Sequence, residues 1–217
     1  MTMFAQSLQE ACRLNFIGAT LLSRDDPNGA VSAFRTAVQL MEALSRTDEA
    51  IDQIRSNHEK MVYSMEVPDA DEADSFFVFN KPLLFQVSPS AGDLGFYNAV
   101  IIYNLALTFH LTAIRRGGDS KFRKALHFYN LCADLLAQDE TASSGTLLLA
   151  VLNNATHAHL QLGDYKEFRA GIEKVEKHAA QLTQRNASLP PVFEPHHFDE
   201  LFLNITLAHE PTAAPMA

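Results

Sequence analysis

The sequence predicts an all-α chain of antiparallel helix hairpins stacked side by side, and three observations carry that expectation. Gly and Pro number only 9 each among 217 residues and Trp is absent, while Ala and Leu abound, the composition of helices that meet through small and aliphatic side chains. A hydrophobic residue followed by asparagine, with a leucine further on, recurs three times: Leu14-Asn15 with Leu22, Tyr103-Asn104 with Leu111, and Leu152-Asn153 with Leu160. After each comes a turn rich in helix breakers: Asp25-Asp26-Pro27-Asn28-Gly29, Arg116-Gly117-Gly118-Asp119 and Gly163-Asp164-Tyr165.

Residues 1–65 read as the first hairpin. Its first helix carries apolar residues at three- and four-residue steps, and its second opens with Ala30, Phe34 and Ala37 on one face. A helical period continues through Ile51, Ile54, His58, Met61 and Val62, so either the second helix is long or another helix follows it. Residues 66–93 differ in character. Glu66 to Asp74 is an acidic, helix-poor run, and Ser75 to Phe79 and Pro82 to Val87 read as two extended segments about an Asn80-Lys81 turn. The phenylalanines of this insertion need cover, for which the apolar outer face of the neighbouring hairpins is the expected source.

Two further hairpins occupy residues 94–188. Their second helices repeat the four-then-three spacing as Ala125, Tyr129, Cys132 and as Phe168, Ile172, Val175, an arrangement in which a small residue admits the partner helix and a large one fills the gap beside it. Residues 189–210 form a Pro-rich linker and a capping helix striped by Phe198, Leu201, Phe202 and Ile205, and 211–217 a flexible tail.

A small residue, an aromatic and a second small residue at these second-helix positions resemble the tetratricopeptide (TPR) repeat. Leu14 to Ala43 matches best, with Gly18 at the small first-helix position and Ala30, Phe34 and Ala37 in register. Leu162-Gly163-Asp164-Tyr165 is similar to the family's inter-helix turn, although Phe168 stands where a small residue is expected. The middle segment is longer, its marker Ala125 lying 21 residues after Asn104 where the others lie 15 after theirs. The resemblance covers roughly half of the chain. It implies a right-handed TPR-like solenoid with a concave groove, acting as a protein–protein interaction module or scaffold without catalytic residues, cofactor or metal. Members that hold a chaperone's C-terminal carboxylate place a basic residue one turn before a groove asparagine. Here those positions are Ala11, Val100 and Leu149, so that ligand is not expected.

Steps of four from the repeated asparagines put Asn15, Ala19 and Ser23, then Asn104, Thr108 and Thr112, then Asn153, His157 and Gln161 on the faces that line such a groove. Amide and hydroxyl groups there suit the main chain of a partner segment. The competing reading is that each Asn fixes hairpin stacking, and for any single Asn it takes precedence. Arg115, Arg116, Lys121, Arg123 and Lys124 form a basic patch that could meet an acidic segment, a partner's or the chain's own Glu66 to Asp74, or could be a solvated loop. His196-His197 with Asp199 and Glu200, and His157 with His159, are metal-ligand types at spacings that do not converge.

With 26 acidic against 17 basic residues the net charge is −9, which disfavours nucleic acid and anionic membrane surfaces as partners. Cys12 and Cys132 are too few for a disulfide framework and read as buried small hydrophobes. Residues 1–15 carry no secretory pattern and no stretch reads as a membrane span, so a cytoplasmic or nuclear location is expected and the Asn-x-Ser/Thr matches at Asn154, Asn186 and Asn204 are incidental. Two other classes stay open: a structural subunit, a homo-oligomer joined through its Phe-rich insertion, and an enzyme on a helical scaffold using His, Asp and Glu groups.

Overall fold

A computed structural model describes residues 3–46, 62–65, 77–85, 94–137, 141–184 and 195–209, apart from the side chains of 142, 195–198, 204, 207 and 209. Among the described residues the chain is mostly helical: α1 (Met3–Ser23), α2 (Pro27–Ser45), α3 (Leu94–Arg116), α4 (Asp119–Leu136), α5 (Ala142–Gln161), α6 (Tyr165–Gln184) and α7 (Pro195–His209), with two short strands, β1 (Val62–Ser64) and β2 (Leu83–Phe85). The all-α expectation holds at that level.

The helix boundaries follow from local chemistry. α1 and α5 end in the same hydrogen-bonded turn. Asp25 and Asp26 donate their N–H groups to Leu22 and Leu21, and Gly163 and Asp164 donate theirs to Leu160 and His159, the paired bonds that satisfy the last carbonyls of a helix. The turn needs a left-handed residue, supplied by Gly163 (φ 70°) in one case and by Asp25 (φ 56°) in the other. The following helices begin alike, with Ala30 N–H on the Asp26 carbonyl and Phe168 N–H on that of Asp164. Asp26 also caps α2 by accepting from Gly29 N–H at 3.0 Å, and Pro27 sits where its missing N–H is harmless. The α3–α4 turn runs through Gly117 (φ 71°) and Gly118 (φ 118°).

Packing is between neighbours in the chain: α1 on α2, α2 on α3, α3 on α4, α4 on α5, α5 on α6, and α7 on α6. In addition α1 touches α3 and α3 touches α5, so the first helices lie in a row. The expected small-to-large contact is explicit in the first hairpin, where a Cβ placed on Gly18 would lie 2.6 Å from Phe34 Cε1. Phe34, Tyr129, Ala125 and Cys132 are buried on their second helices, as are Ile172 and Val175, whereas Phe168 is half-buried. On α7, Leu201 and Ile205 are buried and Phe202 faces solvent.

Several expectations change. Of the helical period read over 45–63, residues 47–61 lie outside the described ones; α2 itself stops at Ser45, where the Arg46 N–H closes the last turn, and Val62–Ser64 is extended. The extended half Leu83–Phe85 pairs not with Phe77–Phe79 but antiparallel with β1, Val62 opposite Phe85 and Ser64 opposite Leu83. A period-2 strand of so few residues is indistinguishable from the end of a helical period until its partner is known. Helix α3 is, by length and composition, apolar enough to cross a membrane, contrary to the sequence reading, yet most of its side chains are enclosed between α2, α4, α5 and the 77–85 segment.

Candidate functional site

The row of first helices exposes to its inner side the positions marked by the repeated asparagines, and that face is filled by the chain itself. Residues 77–85 cross it, with a tight turn closed by the Asn80 N–H on the Val78 carbonyl at 3.2 Å and a bend at Lys81 before the strand Leu83–Phe85, moving from α5 through α3 to α1 as the residue number rises. Phe77 lies against both His110 on α3 (ring centroids 4.2 Å) and His157 on α5 (5.1 Å), whose own rings are 5.0 Å apart. The Phe79 carbonyl accepts from Tyr103 Oη at 2.9 Å and Asn154 Nδ2 at 2.8 Å. Leu83 is held at both main-chain groups: its N–H donates to Asn104 Oδ1 at 2.8 Å, and its carbonyl accepts from Asn104 Nδ2 at 2.8 Å and Asn15 Nδ2 at 3.0 Å. Asn104 Nδ2 also reaches Asn15 Oδ1 at 2.8 Å, so the two amides are locked together.

The reason is elementary. β2 has one strand neighbour, and the Leu83 N–H and C=O are turned toward the helices, where water is excluded. An unpaired buried amide costs about 1–3 kcal/mol, and a carboxamide, carrying one acceptor and one donor in a plane, matches a peptide group on both counts. Phe77, Phe79 and Leu83 are almost wholly buried by this arrangement, so the described part of the insertion is covered by the asparagine-lined face rather than by an outer one.

Behind Phe77 and Phe79 lies a buried polar chain. Asn154 Nδ2 reaches the hydroxyls of Tyr103 (3.4 Å) and Tyr129 (3.3 Å), Tyr129 Oη is 3.2 Å from His110 Nδ1, His110 Nε2 is 2.8 Å from His157 Nδ1, and His157 Nε2 is 3.1 Å from Gln161 Nε2. Only one hydrogen fits between the two imidazoles, so one ring donates and the other accepts. Burial, reinforced by the adjacent His157, holds the His110 pKa well below the usual histidine range. Burial likewise pushes the Tyr103 and Tyr129 hydroxyls up, so both stay protonated.

Of the residues singled out in the sequence, Asn15, Asn104 and His157 touch this site, and Gln161 closes the polar chain at its exposed end. Thr108 is buried but turns its hydroxyl to the Asn104 carbonyl of its own helix at 2.8 Å. Asn153 is buried and donates to Asn154 Oδ1 at 3.4 Å, and Asn154 reaches the segment. Tyr103, His110, Tyr129 and Asn154 were missed. A histidine and an asparagine inside the most apolar helix signal buried partners, since neither is tolerated there unpaired. Full burial also closes Asn154 to any glycan.

The basic patch is divided. Arg115 and Arg116 reach the Asp25 carboxylate at 3.4 and 3.0 Å, tying the end of α3 to the α1–α2 turn. Lys121 Nζ donates to the Gly117 carbonyl at 3.1 Å, Lys124 Nζ lies 5.6 Å from the Phe109 ring centroid, and Arg123 is exposed. The acidic run Glu66 to Asp74 lies outside the described residues. Cys132 is buried with its thiol 3.2 Å from the Ala99 carbonyl, and burial pushes the partly covered Cys12 thiol to about 12, which keeps it protonated and unreactive at neutral pH. Among the described residues no three His, Cys, Asp or Glu side chains gather as a metal site would require, and the His196 and His197 side chains lie outside them. Searches against protein-family models, curated proteins and solved structures return no match for the chain.

Proposed function

We infer that the chain is a non-enzymatic protein-interaction module whose working surface is the row of first helices. One observation supports this reading most strongly: side chains from α1, α3 and α5 grip an extended segment by its main chain, at Leu83 and Phe79, which is the chemistry by which a helical groove takes a peptide. The TPR-like reading is supported by the matching turns after α1 and α5, by Gly18 beneath Phe34, and by packing between successive helices. The two buried imidazoles engage each other and a tyrosine, which suits a structural network better than acid–base chemistry on a substrate.

Affinity capture on the tagged full-length chain, followed by reconstitution with the purified candidate, tests the module reading. A defined protein should bind stoichiometrically with a Kd at or below about 10 μM, a free energy of roughly −7 kcal/mol. Purified chain that instead carries stoichiometric metal, or turns over a small molecule, would replace the module by an enzyme. Self-association through the insertion has less to work with, because Phe77, Phe79, Leu83 and Leu84 are already buried within one chain.

A further inference from the structure

The contacts that hold residues 77–85 divide into two kinds. Hydrogen bonds at Phe79 and Leu83 engage main-chain atoms, which every sequence possesses, except that the Leu83 position must offer an N–H and so cannot be proline. The side chains of Phe77, Val78, Phe79 and Leu83 are almost wholly buried, and the Phe77 ring lies against two imidazoles, which demands apolar residues at these positions and an aromatic one at Phe77. Six residue steps separate Phe77, against α3 and α5, from Leu83, held by α1 and α3. The occupant carries one charge, Lys81, on a chain of net charge −9, so the surroundings favour a neutral or basic visitor.

We propose that this groove accepts a segment of another protein with the pattern aromatic, aliphatic, aromatic, three intervening residues, then a non-proline aliphatic residue, and that residues 77–85 are its built-in competitor. The inference rests on the interaction-module reading and names the kind of ligand. A tethered occupant acts at an effective concentration of about a millimolar, so an intact chain binds a free peptide weakly and exchange is governed by local release of the segment.

The probe is a fluorescent peptide of residues 77–85 extended by a charged solubilising tag, followed by anisotropy. Full-length chain carrying Phe77→Ala and Phe79→Ala should bind it at least tenfold more tightly than the unaltered chain. Adding Asn104→Ala should remove that gain, as should proline at the Leu83 position of the peptide. Equal binding of the proline peptide, or no gain in a doubly substituted chain of unchanged helical circular dichroism, overturns the proposal. Should the double variant lose its helicity, hydrogen exchange on the unaltered chain decides. The Leu83 amide should exchange at least tenfold faster than those of Leu105 and Leu107 in α3, and equal protection would mean the segment leaves only on global unfolding. Failure on either count leaves the module reading standing if a captured partner still binds elsewhere on the chain.

Discussion

The carboxamide of Asn104 meets the backbone of Leu83 as one peptide group meets another across a sheet, accepting its N–H and donating to its C=O, each over 2.8 Å. A helix side chain thereby completes the pairing of a strand that has a partner on one side only. Because the contact is fully buried, its removal is felt through the groups it leaves unpaired rather than through the bonds themselves.

Asn104→Ala should therefore lower stability by roughly 2–4 kcal/mol, the cost of leaving a buried N–H and part of a carbonyl unsatisfied. Urea unfolding followed by helical circular dichroism measures it. A loss below about 0.5 kcal/mol would show that Leu83 finds another partner, and the strand-like pairing would then carry no weight.

Gly18→Ala offers a sharper test of the first hairpin. A helix interior ordinarily favours Ala over Gly by about 1 kcal/mol, but here the new methyl would press on the Phe34 ring, and overpacking costs typically about 1–3 kcal/mol. A net loss is expected, and Phe34→Leu in the same chain should return part of it. If the two substitutions are additive within about 0.5 kcal/mol, the rings and the backbone are not in contact.

The buried imidazoles make stability depend on acid. His110 has a depressed pKa in the folded chain and an ordinary one, about 6.5, when unfolded, so below that pH the unfolded state takes up protons that the folded state refuses. The stabilisation is complete above about pH 6.5 and declines as pH falls toward the folded-state value, by at most about 1.4 kcal/mol per pH unit. Unfolding free energies measured from pH 8 to pH 5 should show this slope, and His110→Gln should be less stable throughout but shallower below pH 6.5. An identical slope in the variant would assign the acid sensitivity to other groups.

Phe77→Ala should cost about 3–5 kcal/mol because the ring is nearly wholly enclosed, whereas Phe16→Ala, with its residue 52% exposed, should stay within about 0.5 kcal/mol. The pair, compared by thermal melting, separates a phenylalanine inside the groove from one on the surface. Comparable effects would mean that Phe77 is not seated against the two histidines.

Asp25 draws Arg115 and Arg116 to a left-handed backbone position, all of them at least partly exposed. Asp25→Gly should be close to neutral, since relief of the strained φ offsets two screened ion pairs worth under about 1 kcal/mol each. Raising salt to 1 M screens the ion pairs but leaves the relief of φ, so it should shift the balance in favour of Asp25→Gly. A loss above about 2 kcal/mol would point to a structural tie between α3 and the first turn stronger than surface charges supply.

Much of the frame was legible in the residues. The breakers at Asp25 to Gly29, Gly117-Gly118 and Gly163 mark where helices must stop, because only glycine, or an aspartate at some cost, accepts the left-handed backbone that satisfies their last carbonyls. The recurrence of Asn15 and Asn104 picked out two residues of the site. The same pattern marked Asn153 and passed over Asn154, whose amide reaches the Phe79 carbonyl, since a repeat frame picks one position per repeat while both of these adjacent side chains, about 100° apart on the helix, are buried.

The amino-acid order determined by itself that this chain is helical, where its hairpins turn, and that small residues on one helix admit large ones from the next, because all of these depend on neighbours within a few positions. Tertiary structure alone decided that Leu83 pairs with Val62–Ser64 on one side and with Asn104 and Asn15 on the other, that His110 meets His157, and that the phenylalanines turn into the groove. Those contacts join residues tens of positions apart, and what selects them is the cost of leaving a buried polar group without a partner, a quantity set by the assembled surroundings and not by local sequence.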